Sequence, residues 1–301
     1  MTMIKATYAG LAVLCMAFVG AARAQPAKDA CEQAKAATQT NAQVLTTRVQ
    51  CLLSGVEPAE RPVEQARQLA RQAHTQGDPV GSFLLYLIYA SDPAFTYIRN
   101  GKADMAQHQR LAALPVSQRA EQIEALDAMA FAMTKGHVNA SVLTAAYLFD
   151  TSAPNNTKRL AGLTGLLQRN GVNTPQVQRY GEAAVTTLRY GGTHASAKAF
   201  NDALASATGT ARLILAAANN SRDCPEMQLM TTTPGDLKDP EFLPLTSRSL
   251  MNTYLLRGSW TEQWMFAGCN QEVPIEVRFT ADGWGGANFV VSAKPRNLGA
   301  K

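Results

Sequence analysis

This 301-residue chain has few of the marks of an enzyme. It has no Gly-x-Ser-x-Gly elbow, no phosphate-binding loop and no dinucleotide fingerprint. Its four histidines, His74, His108, His137 and His194, are scattered and form no His-x-x-x-His pair. Asp104 precedes His108 by four residues and Asp78 follows His74 by four, but neither pair has a nucleophile at matching spacing. All four histidines therefore read as surface or turn residues. There is no Cys-x-x-Cys, and no histidine lies near a cysteine pair, which argues against zinc and thiol redox chemistry. "TADGWGGAN" lacks the alternating acids and closing glutamate of a calcium loop. No cofactor is implied. No run of five or more Lys/Arg occurs, so the net charge of +5 speaks for solubility and against a nucleic-acid partner. These absences leave open an active site assembled from residues distant in sequence.

The N-terminus has the three parts of a secretory signal peptide. "MTMIK" is basic, "ATYAGLAVLCMAFVGAA" is apolar and uncharged, and Ala22 and Ala24 fit a small-residue cleavage site. The apolar run is short for a membrane span, which needs about 20 residues, and no second run of that length follows. Cleavage after Ala24 is expected, with an uncleaved anchor as the alternative. Cys15 lacks the preceding small residues of a lipid-attachment site. The mature chain would hold 301 − 24 = 277 residues, with a charge of +5 − 2 = +3 after loss of Lys5 and Arg23. That length suits two domains.

Cys31, Cys51, Cys224 and Cys269 remain after cleavage. An even number in an exported chain points to disulfides. Of the three pairings, Cys31–Cys51 with Cys224–Cys269 keeps each link within one half of the chain. If Cys31 pairs with Cys51, the intervening sequence cannot be one straight helix, which would hold them ~30 Å apart. A disulfide needs Cα atoms within about 7 Å. The chain must then reverse near Thr38–Asn41, as an αα-hairpin does.

Composition changes near residue 220. Residues 28–219 are rich in Ala, Leu, Gln and Arg; from 221 Pro, Thr, Trp, Phe and Val take over. The expected layout is a signal peptide at 1–24, a helical domain at 25–220 and a small disulfide-linked β domain at 221–301. An exposed linker is expected at 219–224. Helices are expected at 62–76, 79–91, 117–134, 138–150, 157–169, 175–190, 194–206 and 209–219. Their separators, such as "QGDP", "KGH", "NGVNTP", "YGGTH" and "ATG", carry stop and start signals.

Aligning Gly77 on Gly136 superposes Ala73 on Ala132, Gly81 on Ala140, Tyr86 on Ala145 and Tyr89 on Leu148. Small residues such as Gly81 and Ala140 would lie between the helices of a pair. The pattern resembles Sel1-like, tetratricopeptide-type repeats over roughly 62–190. Leu85 and Tyr89 match the family's leucine and tyrosine. The second copy has Thr144 and Leu148 there, with Tyr147 one place early, and a third copy around Gly171 has Pro175 at the alanine position. Copies are 59 and 35 residues apart, whereas such repeats keep a constant ~34–36, and the same spacing also suits an irregular bundle. The resemblance implies a scaffold whose concave face takes a protein or peptide partner.

The C-terminal part reads as an antiparallel meander over 257–293. Trp260, Glu262, Trp264 and Phe266 share one face of a strand. Val273, Ile275, Val277 and Phe279 alternate with polar residues in the next, "ADGWGG" turns the chain, and "ANFVVSA" returns. The Trp face should pack on the Val/Ile/Phe face. Pro274 must sit where no ladder hydrogen bond is needed. Trp260 and Trp264 read as core; the functional alternative is a sugar-stacking platform. Trp284, in the glycine-rich turn, is the better candidate for an exposed ligand contact. Glu262 is either paired, with Arg257 or Arg278 available, or a general acid raised in pKa by burial.

The fold class is therefore mainly α, antiparallel helix pairs followed by a small antiparallel β domain. The expected function is binding or scaffolding in a bacterial periplasm or envelope, or after secretion. The alternative is an envelope glycan-binding protein or hydrolase built on the β domain.

Overall fold

The structure, a computed structural model, describes residues 28–99, 102–218 and 226–293. The signal peptide, the 219–224 linker and Cys224 lie outside them. The chain is mainly helical and ends in an antiparallel sheet, as the sequence predicts. It forms two compact units. The described part of one is residues 28–144 with Pro244–Met251; that of the other is 145–243 with 252–293.

The helical unit opens with the expected hairpin, α1 (Lys28–Ala36) and α2 (Ala42–Leu53). Asn41 caps α2 by accepting the Val44 N–H at 2.9 Å, and Cys31–Cys51 closes the hairpin with Cα atoms 5.8 Å apart. Then come α3 (Pro62–Thr75), α4 (Pro79–Ser91), a two-residue hairpin of β1 (Ile98–Arg99) and β2 (Lys102–Ala103), α5 (Met105–Ala112), α6 (Ala120–Thr134) and α7 (Val138–Asp150). α7 runs past residue 144 into the second unit.

Helices α3 and α6 end alike. Gly77 and Gly136 take φ of +81° and +82°, open to glycine at no steric cost. Gly77 N–H donates to the His74 carbonyl and Asp78 N–H to that of Ala73; Gly136 and His137 do the same to Met133 and Ala132. Both are Schellman closures. α2 packs on α3, α3 on α4 and α4 on α6. Ala66, Ala70 and Ala73 are fully buried on α3, where short side chains let its neighbours approach. Val49, Leu52, Leu85, Ile88 and Ala128 fill the core beside Ala66 and Ala70.

Three expectations change in this unit. Helix α6 starts at Ala120, not 117, because Pro115 and a short 3₁₀ turn at Val116–Gln118 precede it. Helix α5 was not anticipated; Asp104 caps its start and the Arg119 guanidinium donates to the carbonyls of Leu111, Ala112 and Leu114 around its end. On α5, His108 is 9% exposed and meets the Tyr97 ring edge-on, so it is not a surface residue.

The second unit joins the end of α7, α8 (Asn156–Arg169), α9 (Pro175–Arg189) and α10 (Ala197–Ala218) to the sheet. The expected break at "ATG" is absent. Gly209 lies inside the 22-residue α10 with open space where a side chain would be, and α10 packs on β6 and β7 along its length. That packing outweighs the ~1 kcal/mol a mid-helix glycine costs. Among the described residues no helix is long and apolar enough to cross a membrane.

The expected meander is present as β5 (Leu255–Gly268), β6 (Gln271–Ala281) and β7 (Ala287–Ala293). Two strands were not anticipated. β3 (Gln228–Pro234) and β4 (Lys238–Phe242) pair with successive parts of β5, so the order is β3-β5-β6-β7 with β4 beside the start of β5. The tight β5–β6 turn puts Cys269 and Asn270 at φ +50° and +58°. Cys269 is disulfide-bonded. Pro274, opposite Met265, lies one residue beyond the last β6–β7 pair, Ile275 with Ala293.

The Trp and Val/Ile/Phe residues are lateral neighbours on one face rather than two opposed faces. Trp260 stands opposite Phe279, Glu262 opposite Val277, Trp264 opposite Ile275 and Phe266 opposite Val273. What covers that face is α10, through Phe200, Ala203, Ala207, Ala211 and Leu215. The composition break near 220 is thus a change of secondary structure inside one unit.

Candidate functional site

Trp260, Glu262 and Trp264 come together, and they are inside. Trp260 is 1% exposed, and Trp264 and Glu262 are 0%. Period-two alternation puts both indoles beside the carboxylate, and both N–H groups turn to it. Trp260 Nε1 donates to Glu262 Oε1 and Trp264 Nε1 to Oε2, each at 2.9 Å. Two more donors come from the α9–α10 connection: Thr193 Oγ1 at 2.7 Å and the His194 backbone N–H at 3.0 Å, both to Oε1.

The local sequence explains how this connection reaches the sheet. Gly191, at φ +120°, lies so close to β3 that a Cβ there would stand 2.6 Å from the Thr232 carbonyl oxygen. Gly191 bridges Thr232 in parallel, and the Thr232 hydroxyl donates to Gly192 O at 2.9 Å. Two small residues let the chain graze the sheet and deliver Thr193 and His194 to Glu262.

Neither expected arginine pairs with Glu262. Arg257 meets Glu241 at 3.3 Å and Arg278 meets Glu276 at 3.8 Å, with both arginines exposed on the strands. Glu262 is instead an acceptor for four donors, with no surface for a substrate. The two indole rings likewise offer no face to a sugar. Trp284 sits apart, half-buried in the β6–β7 turn, with its backbone N–H donating to Asp282 Oδ1 at 2.8 Å.

A titratable cluster in the same unit gave no signal in the sequence. Burial pushes the Asp150 carboxyl up to about 6, against the opposing pull of Lys198 and Arg179; Asp202 and Asp282 push it further up. Tyr180 is pushed up to about 12 by burial and by Asp150. Arg179 lies over the Phe149 ring, 5.6 Å from its centre, and Phe149 meets Tyr180 at 4.7 Å. These residues come from α7, α9, α10 and the β6–β7 turn, too far apart in sequence to form a motif.

Asp150 sets a pH dependence. Its folded pKa is raised, so the folded chain holds a proton that the unfolded chain, near 3.8, has released. Stability from this group is fullest below about pH 4 and falls as pH rises through about 6. Asp150→Asn should therefore stabilise the protein at about pH 8, by roughly 1–3 kcal/mol, and change little at about pH 4. Urea melts at the two pH values measure this, and an equal effect at both would show that Asp150 is not the titrating group.

The helical unit carries a charged face. Arg71 donates to both oxygens of Glu124 at 2.6 Å, and Glu124 first among its neighbours holds the guanidinium more firmly protonated. Arg67 meets Asp92 at 2.6 Å and Glu121 at 3.6 Å. Leu85, Tyr89 and Ala125 line the shallow cleft between these pairs. Further along α6, Asp127 accepts from Thr246 and Ser247. Of these side chains the sequence points only to Leu85 and Tyr89, as repeat positions, and to none of the charged ones.

Comparison with protein-family models, with curated proteins and with solved structures finds no match to this chain.

Proposed function

We propose that this is an exported, non-catalytic binding or scaffold protein of a bacterial periplasm or envelope that takes a protein or peptide partner on its helical unit. The observation that carries this reading is the face where α3 and α6, each ended by the same glycine closure, present Arg67, Arg71, Glu121 and Glu124. Reciprocal charges that are partly exposed suit exchange with a partner's charges, which sets specificity and encounter rate. The resemblance to Sel1-like repeats is kept on the same grounds, as a proposal. The Cys31–Cys51 disulfide supports export to an oxidising compartment.

The test is retention of a protein from envelope extract by the immobilised protein. A partner should be retained by the parent and lost when Arg71→Glu and Glu124→Arg are introduced one at a time. Retention that ignores both changes would move the site off this face. Cleavage of glycan fragments with no protein retained would replace this reading with the hydrolase.

A further inference from the structure

Strands β4 and β5 pair up to Phe242 and Leu255, yet residues 243–254 separate them. A tight antiparallel connection needs about two to five residues. The excess is Pro244–Met251, a strap whose contacts place it in the helical unit, while the strands on either side belong to the other.

Asp127 of α6 grips this strap. Its carboxylate accepts the Thr246 N–H at 3.1 and 3.0 Å, the Thr246 hydroxyl at 2.7 Å and the Ser247 N–H at 3.0 Å. The strap then closes one turn, with Leu250 and Met251 N–H groups donating to the Ser247 carbonyl. An anion at the start of a turn, facing successive N–H groups, is a stable arrangement. Leu245 and Leu250, 4% and 0% exposed, flank it as anchors. Thr246 is exposed, so the polar grip is open to water.

We infer that the strap is a ligand carried in cis. The surface around Asp127 recognises a turn-forming segment with two consecutive hydroxyl residues between leucines, and the chain's own "LTSRSL" occupies it. A partner segment of the same chemistry competes for that place. This rests on the binding reading above and gives it a partner class. Asp127 supplies what such a segment cannot find in water-exposed loops, a fixed acceptor for two backbone N–H groups at once. The leucine at each end sets the length of segment that fits.

The experiment uses the full chain and an acetylated peptide of residues 243–252. In one variant Pro244–Met251 is replaced by eight Gly/Ser residues. That variant should bind the peptide at least about tenfold more tightly than the parent, whose site is filled. Adding Asp127→Ala, or placing proline at the Thr246 position of the peptide, should remove about tenfold or more. A folded strap-replaced protein that ignores the peptide overturns the inference, as does binding indifferent to Asp127. Should that variant fail to fold, hydrogen exchange on the parent decides. Thr246 and Ser247 amides should exchange by local opening, at least about a hundredfold faster than the amides of central α6. Exchange only through global unfolding makes the strap a fixed structural piece and ends the proposal. Retention of an envelope protein without peptide binding would sink this inference alone; loss of both would sink the binding reading as well.

Discussion

Glu262→Ala is expected to cost about 3–5 kcal/mol, as much as truncating a buried aromatic side chain of the same sheet. The substitution removes the acceptor for two indole N–H groups, a hydroxyl and a backbone N–H. A buried donor left without a partner costs about 1–3 kcal/mol. The four costs will not add in full, because Thr193 lies on a connection that can shift and water can enter the vacated space. Trp260 and Trp264 have no such freedom: they are locked between Phe279 and Phe200, with ring centres 5.1 and 4.6 Å away. Glu262→Gln should cost less, about 2–3 kcal/mol, since one oxygen remains while the new NH₂ faces a donor. Glu182→Ala, exposed on α9, should stay within about half a kcal/mol. Urea melts followed by tryptophan fluorescence measure all three. If Glu262→Ala melts like the parent, the carboxylate is not holding the rings, and the general-acid role regains its ground.

The burial of this carboxylate shows what alternation can tell. Period two put Trp260, Glu262, Trp264 and Phe266 on one face, and that face exists. It could not say what covers it. The cover was written elsewhere, in Ala203, Ala207 and Ala211, spaced by four on α10. A stripe of small residues is the signal of a helix lying close to bulky side chains, and it was masked by reading Gly209 as a stop. "YGGTH" reads as a separator between helices, which it is, yet its two glycines also bring Thr193 and His194 to the sheet.

The missed strands have physical reasons of their own. A register shift between Leu229 and Thr231 breaks the alternation of β3. β4 contains Pro240 and a left-handed Asp239, at φ +47°, and buries none of its five residues fully. Neither strand carries the apolar period that marks β6. The Asp150 cluster and the Asp127 grip are harder still. Each is assembled from residues tens to more than a hundred positions apart, and no local rule connects them.

The glycine that sequence comparison placed between paired helices leads to the other large effect. Gly81→Leu is expected to destabilise the protein by about 3 kcal/mol, the upper end of what overpacking usually costs. Gly81 is on the first turn of α4, fully inside the unit, with Asp78 capping its N–H. Even one added carbon would collide with the Ala73 methyl of α3, and would stand 3.3 Å from Thr46 Cγ2 of α2. Three helices converge there, and none can retreat cheaply. Ala73 is fully buried and Thr46 is tied to the Ala42 carbonyl through its hydroxyl at 3.0 Å. A leucine must therefore push α4 away from α3, opening the Ala66–Ala70 seam at the same time. Gly81→Ala should already cost measurably, which separates a close approach of helices from mere lack of room for a large side chain. Gly162→Ala is the control: it is helical, has no atom within 4 Å of the added carbon, and should gain about 0.5–1 kcal/mol from reduced chain entropy. Thermal and urea melts of the three variants decide the matter. Should Gly81→Leu unfold with the parent, α3 and α4 do not meet at this glycine, and the paired-helix account of the unit fails with it.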